Sequence, residues 1–161
     1  MPQTLLPLPF KTLRTTRWHM LREIDGLTDE QYLAIPAGRS DNILWNVGHL
    51  LCSFSRLTYV FSGFPLPIPD AYFPLFGKGT DALRWTSAPS VREVVARFSS
   101  IMDDLERDYA AGRFGEYTPL TIGPNTIESV EEAVSFHCFH EGLHIGKIID
   151  LKDLLGLSTS D

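Results

Sequence analysis

Apolar residues recur along this chain at helical spacing, in four long runs separated by punctuated joints. The first extends from about Pro9 to Leu27 and carries Leu13, Trp18, Leu21 and Ile24 on one expected face. Thr28-Asp29-Glu30-Gln31 then forms a capping-box pattern that opens a brief helix, closed by Pro36 and Gly38. Ser40-Asp41-Asn42 starts the second long run, in which Ile43, Leu44, Val47, Leu50, Leu51, Phe54, Leu57 and Val60 are apolar as far as about Ser62. Ser90-Val91-Arg92-Glu93 opens the third, which Gly112 ends, and Ser129-Val130-Glu131-Glu132 opens the fourth, which stops at Leu155 before Gly156. Glu131 and Glu132 read as first-turn charges favoured by the helix dipole. No stretch alternates apolar and polar residues, so no sheet is expected.

Between the second and third runs, residues 63–89 are dense in proline and glycine and hold Phe64, Tyr72, Phe73, Phe76 and Trp85. A joint of this length is either functional or disordered, and its aromatic content argues against disorder. It reads as a packed crossover that roofs a site or meets another subunit. The pattern therefore predicts an all-α fold: a four-helix bundle, one domain over residues 1–161, with a long aromatic and proline-rich crossover loop between the second and third long helices.

Composition narrows the function. The 161 residues can bury a core without staples. A formal charge of −6 weighs against nucleic acid or anionic membrane as partner. Cys52 and Cys138 are too few for a disulfide framework and sit in apolar helical patterns, as thiols in a reducing compartment do. Met1 to Lys11 has no basic region ahead of its Leu/Pro run, so no signal peptide is expected, and no apolar run approaches the ~18 residues of a membrane span. The expected setting is cytoplasmic.

The candidate chemistry lies in His140-Glu141-Gly142-Leu143-His144. On a helix, residues i and i+4 lie about 40° apart and one turn up, so both imidazoles aim at one point. The string also reads as H-E-x-x-H, the zinc-protease signature whose Glu is a general base. A protease needs a third ligand downstream and a sheet edge for its peptide; no Glu or His follows His144, and no strand is evident. The protease reading is therefore the weaker one.

His49, among Trp45, Cys52 and Phe54, completes a different set. A histidine in so apolar a span is buried with a partner or binds something. His49, His140 and His144 together form a catalytic-type arrangement for zinc, and imidazole equally suits nickel or iron. His137 is about 10.5 Å along the axis from His144 and reads as a supporting, substrate-contacting or core residue. His19 reads as structural or surface. Cys52 reads as a small hydrophobe, with thiolate ligation the alternative, and Glu141 reads as facing the site edge or a flanking helix.

Trp45-Asn46-Val47-Gly48-His49-Leu50, combined with His140-Glu141-Gly142-Leu143-His144-Ile145-Gly146, resembles the DinB-like (damage-inducible) superfamily. The shared pattern is a histidine in a W-x-x-x-H-L-like helix and a late H-x-x-x-H followed by an Ile/Leu-Gly step. The resemblance implies a four-helix bundle holding a divalent metal, usually discussed as zinc or nickel, on His49, His140 and His144. Several branches look like thiol-dependent S-transferases that use bacillithiol, mycothiol or glutathione, and the family often forms dimers. The leading expectation is thus a metal-dependent transferase joining a small-molecule thiol to an electrophile in detoxification or stress response. A metal-dependent hydrolase of a small molecule is the alternative, and a non-catalytic metal-binding bundle the third reading. No residue is assigned as a protein nucleophile.

Overall fold

A computed structural model describes residues 5–157 of the chain. Met1–Thr4, where the stretch read for a signal peptide begins, lie outside the described residues. The described elements are α1 (Leu8–Ile24), α2 (Asp29–Leu33), α3 (Ile43–Thr58), α4 (Phe73–Phe76), α5 (Val91–Ala110), β1 (Leu120–Ile122), β2 (Asn125–Ile127) and α6 (Val130–Leu154), with short 3-10 turns at Val60–Ser62, Asp70–Tyr72 and Ala82–Arg84. The fold is mostly helical.

Local chemistry explains where the helices start and stop. Thr28 and Gln31 complete both halves of a capping box at α2. Asn42 accepts from the Trp45 amide at the start of α3, Ser90 from Glu93 at α5, and Ser129 from Glu132 at α6. The Glu132 carboxylate accepts from the Glu128 amide rather than from Ser129, so this box is shifted by one residue.

Side-chain pairs set the helix directions. Pro9, Arg17 and Glu23 of α1 meet Cys138, Glu141 and Lys152 of α6 in rising order, so these two helices run the same way. On α3, Asn46 meets His144 while Ser53 meets His137, so α3 runs opposite to α6. α5 packs against α3 and α1, with the Phe10 ring tilted against Tyr109 and Arg17 reaching the Phe98 carbonyl. The shared core contains Phe10, Phe54, Phe76, Phe98 and Met102, all essentially inaccessible to solvent. α3 is its centre: its glycine, asparagine and most of its apolar residues are buried.

Two sequence expectations need correction. Residues 120–127 form a small antiparallel hairpin, with Leu120 opposite Ile127 and Ile122 opposite Asn125. Three-residue strands are too short for alternation to register, but the Gly123-Pro124 turn is diagnostic. Gly123 has φ +58°, and proline fixes a negative φ after it, the geometry of a tight hairpin turn. The hairpin packs through Ile127 on Leu57 and Ala133, and the Tyr117 hydroxyl donates to the Leu57 carbonyl. On α1, Trp18 is exposed and stacks with Arg22, whereas its neighbour Arg17 takes the buried position. A buried charge on Glu141 outweighs indole hydrophobicity at that turn. No helix among the described residues is long and apolar enough to cross a membrane.

Candidate metal centre

His49, His140 and His144 each offer one nitrogen to a common point, and these ligand atoms all lie within 4.8 Å of one another. The ring centroids are 5.3 Å apart for His49 and His140, 5.0 Å for His49 and His144, and 4.9 Å for His140 and His144. The expected cross-helix set is therefore brought together.

Two of the rings, His49 and His144, are held by partners that leave one nitrogen of each free. Nδ1–H of His49 donates to the Phe76 carbonyl at 2.9 Å. Nδ1–H of His144 donates to Asn46 Oδ1 at 2.7 Å. The Asn46 amide cannot turn over without losing its own bonds, because Nδ2 donates to Asp41 Oδ2 at 3.0 Å and to the Asn42 carbonyl at 2.9 Å. With Nδ1 protonated in both rings, the lone pair is on Nε2, the form a metal requires. Trp45 stacks on His49, 4.9 Å between centroids and 11° from parallel, and is itself tied down by its Nε1–H to Thr80.

Gly48 makes the His49 support possible. A Cβ at this position would lie 2.3 Å from Cδ1 of Phe76, so only glycine lets that ring, and the carbonyl behind it, come so close to α3. The aromatic segment 63–89 thus contributes directly to the site.

Electrostatics keep the cluster neutral. Burial lowers the pKa of His144 to about 3, reinforced by His49 and His140, and that of His140 to about 4, reinforced by His137 and His49. His49 is lowered too, by burial against the opposing pull of the Phe76 carbonyl. Imidazoles that stay neutral near pH 7 are ready to donate to a cation, and three such donors fit a divalent metal with room for further ligands.

The remaining sequence candidates fall outside this group. Glu141 is fully buried and faces α1, where Arg17 grips it through Nη2 and through Nε at 3.2 Å. Burial raises its pKa, but the Arg17 charge outweighs this and holds it below the usual carboxylate range. Although H-E-x-x-H is complete in sequence, its Glu therefore cannot reach a substrate. His137 is buried beside Phe54, with Nδ1 at 3.6 Å from Glu141 and Nε2 at 3.4 Å from Ser53 Oγ. His19 is exposed. Burial pushes the Cys52 thiol up to about 12, consistent with a small hydrophobe.

A cavity of about 580 Å³ opens from His49 and His140. It follows Cys52, Ser53, Arg56 and Leu57 along α3, with the β1 hairpin strand, Phe136 and the Phe73–Lys78 region around it. Its volume suits a small molecule.

Sequence reasoning missed Asn46, Arg17, Arg56 and Lys78. Asn46 carried a signal, since an amide inside an apolar helical run must find a partner. The others carried none in one dimension.

A helical fold with three convergent histidines and an adjoining cavity defines a class of proteins able to hold a metal beside a small molecule. The DinB superfamily model matches residues 12–148, most of the chain, and the chain belongs to that superfamily. No curated protein matches it.

Proposed function

We propose that the four long helices form a four-helix bundle, joined between α3 and α5 by a crossover segment, whose His49, His140 and His144 hold a zinc or nickel ion. On this reading the protein is a cytoplasmic thiol S-transferase acting on small electrophiles in detoxification or stress response. A divalent ion there would supply Lewis acidity, lowering the pKa of a thiol that reaches it. His49, His140 and His144 contribute neutral nitrogens, so the ion keeps its charge, while Asn46 and the Phe76 carbonyl fix the rings. In the transfer, the thiol sulfur forms a bond to the electrophilic carbon. The leaving group departs with its electron pair, and the thiol proton passes to solvent.

The observation that carries the choice of transferase over hydrolase is the lining of the cavity. It contains no Asp or Glu, and the one acid of the histidine motif is sealed against Arg17. The pKa of water would fall at such an ion as well as that of a thiol. A hydrolase, however, also calls for a group that takes up the proton and protonates the leaving group, and the cavity lining offers no carboxylate for that role. A thiol co-substrate brings its own nucleophile, so the protein need not supply one.

The test is conjugation of a chloronitrobenzene with glutathione, bacillithiol and mycothiol by metal-loaded and metal-stripped protein. Metal-dependent acceleration with one of these thiols supports the transferase. Hydrolysis of an ester and amide panel without conjugation would move the assignment to a hydrolase. Inactivity in both panels would leave a metal-binding bundle without turnover.

A further inference from the structure

The cavity reverses the charge of the chain around it. The protein carries a formal charge of −6, yet the charged residues lining the cavity are Arg56 and Lys78. Elsewhere the arginines are largely engaged: Arg14, Arg17, Arg39, Arg97 and Arg113 each meet a carboxylate. Among the described residues, neither Arg56 nor Lys78 forms such a pair, and the Arg56 guanidinium instead lies 5.7 Å from the centre of the Phe61 ring. A guanidinium held over an aromatic face keeps its hydrogen-bonding edge free for an incoming group.

Position gives this arrangement a length. His49, Ser53 and Arg56 follow one another along the cavity side of α3. Arg56 is seven residues beyond His49, which on a helix is about 10.5 Å along the axis. The walls also include Leu57, Phe136, Leu120 and Ile122, all apolar. One end of the cavity therefore offers the histidine nitrogens, with Lys78 two residues beyond the Phe76 carbonyl that holds His49, and Arg56 stands unpaired further along α3.

We infer that the cavity binds a small anionic amphiphile, whose anionic group is received by Arg56 about 10 Å from the end that meets the histidines. This rests on the proposed metal-and-thiol reading only for what lies at the histidine end; the anion selectivity stands on the cavity alone. Under that reading, the thiol or the electrophile carries a carboxylate, sulfonate or phosphate at the opposite end from its reacting atom.

The test uses paired probes of one chain length on metal-loaded protein: octanesulfonate against octanol, and the same two molecules bearing an ω-thiol. Sulfonate coordinates metals poorly, so its preference reports on Arg56. Calorimetry should show octanesulfonate binding about tenfold tighter than octanol, with the preference shrinking as salt rises. The preference should vanish in the Arg56→Gln protein, whose metal content should equal the parent's. Equal affinity for the two probes in the parent, or a preference that survives in Arg56→Gln, would overturn the inference. The thiol arm reports separately. If an ω-thiol adds no affinity while the sulfonate preference holds, the thiol reading fails and the anion site stands.

Discussion

Two polar clusters share one helix and meet opposite fates. At His140 and His144, α6 turns neutral nitrogens toward His49 and a cavity. One residue away, at Glu141, it turns a carboxylate into a sealed contact with Arg17, beside His137. Glu141 is removed from water while His49 and His140 are half-buried on a cavity wall, although both clusters draw on the same five-residue motif. They differ in saturation. Arg17 spends its donors on Glu141 and the Phe98 carbonyl, and its guanidinium lies between the faces of Phe54 and Phe98. In the histidine trio, Asn46 and Phe76 hold His144 and His49 from behind, and the three ligand nitrogens converge. A polar group that is both buried and fully partnered serves architecture. Partly buried groups whose lone pairs converge on shared space can serve chemistry.

The contrast can be broken most severely at Arg17. Arg17→Ala leaves Glu141 charged and unpaired in the core, so denaturant unfolding should show a loss of about 3–5 kcal/mol. The folded fraction should still bind metal stoichiometrically; loss of metal at equal foldedness would show that the two clusters are one.

Acid should act on the other cluster. The folded pKa values of His140 and His144 lie below the ordinary 6.5, at about 4 and about 3. The unfolded chain therefore binds protons that the folded chain refuses. The stabilisation is fully present above pH 6.5 and is lost as pH falls through 4 and 3. For metal-free protein, the loss between neutral and acid pH should be on the order of 3 kcal/mol. It should shrink in His144→Ala; an identical pH profile in that variant would contradict the assignment.

Smaller effects sharpen the picture of what holds the rings. Asn46→Ala removes the acceptor for His144 Nδ1–H and should weaken metal affinity roughly 10- to 100-fold, measured by chelator competition. Gly48→Ala pushes against Phe76 and should cost about 1–3 kcal/mol of stability. It should also reduce metal affinity, because the Phe76 carbonyl moves with the ring. A destabilised Gly48→Ala protein with parental affinity would show that the carbonyl is dispensable.

The helices and the histidine trio were legible from local rules. Thr28, Asn42, Ser90 and Ser129 all cap where their sequence contexts indicate, and H-x-x-x-H spacing plus an isolated His49 pointed to a shared site. What could not be read was everything that depends on which faces meet. The H-E-x-x-H string says nothing of Arg17, more than a hundred residues away, although that pairing decides what Glu141 can do. The same holds for the Phe76 carbonyl, since a backbone atom has no signature in sequence. Trp18 looked like a core residue because indole is apolar, and lost the buried position to a charge with a distant partner.

X-ray absorption at the metal edge, recorded on zinc-loaded parent and His49→Ala proteins, addresses the convergence of two helices on one ion most directly. The parent should show three imidazoles with the remaining positions filled by solvent oxygen, and the variant two. An unchanged imidazole count after His49 is removed would contradict it.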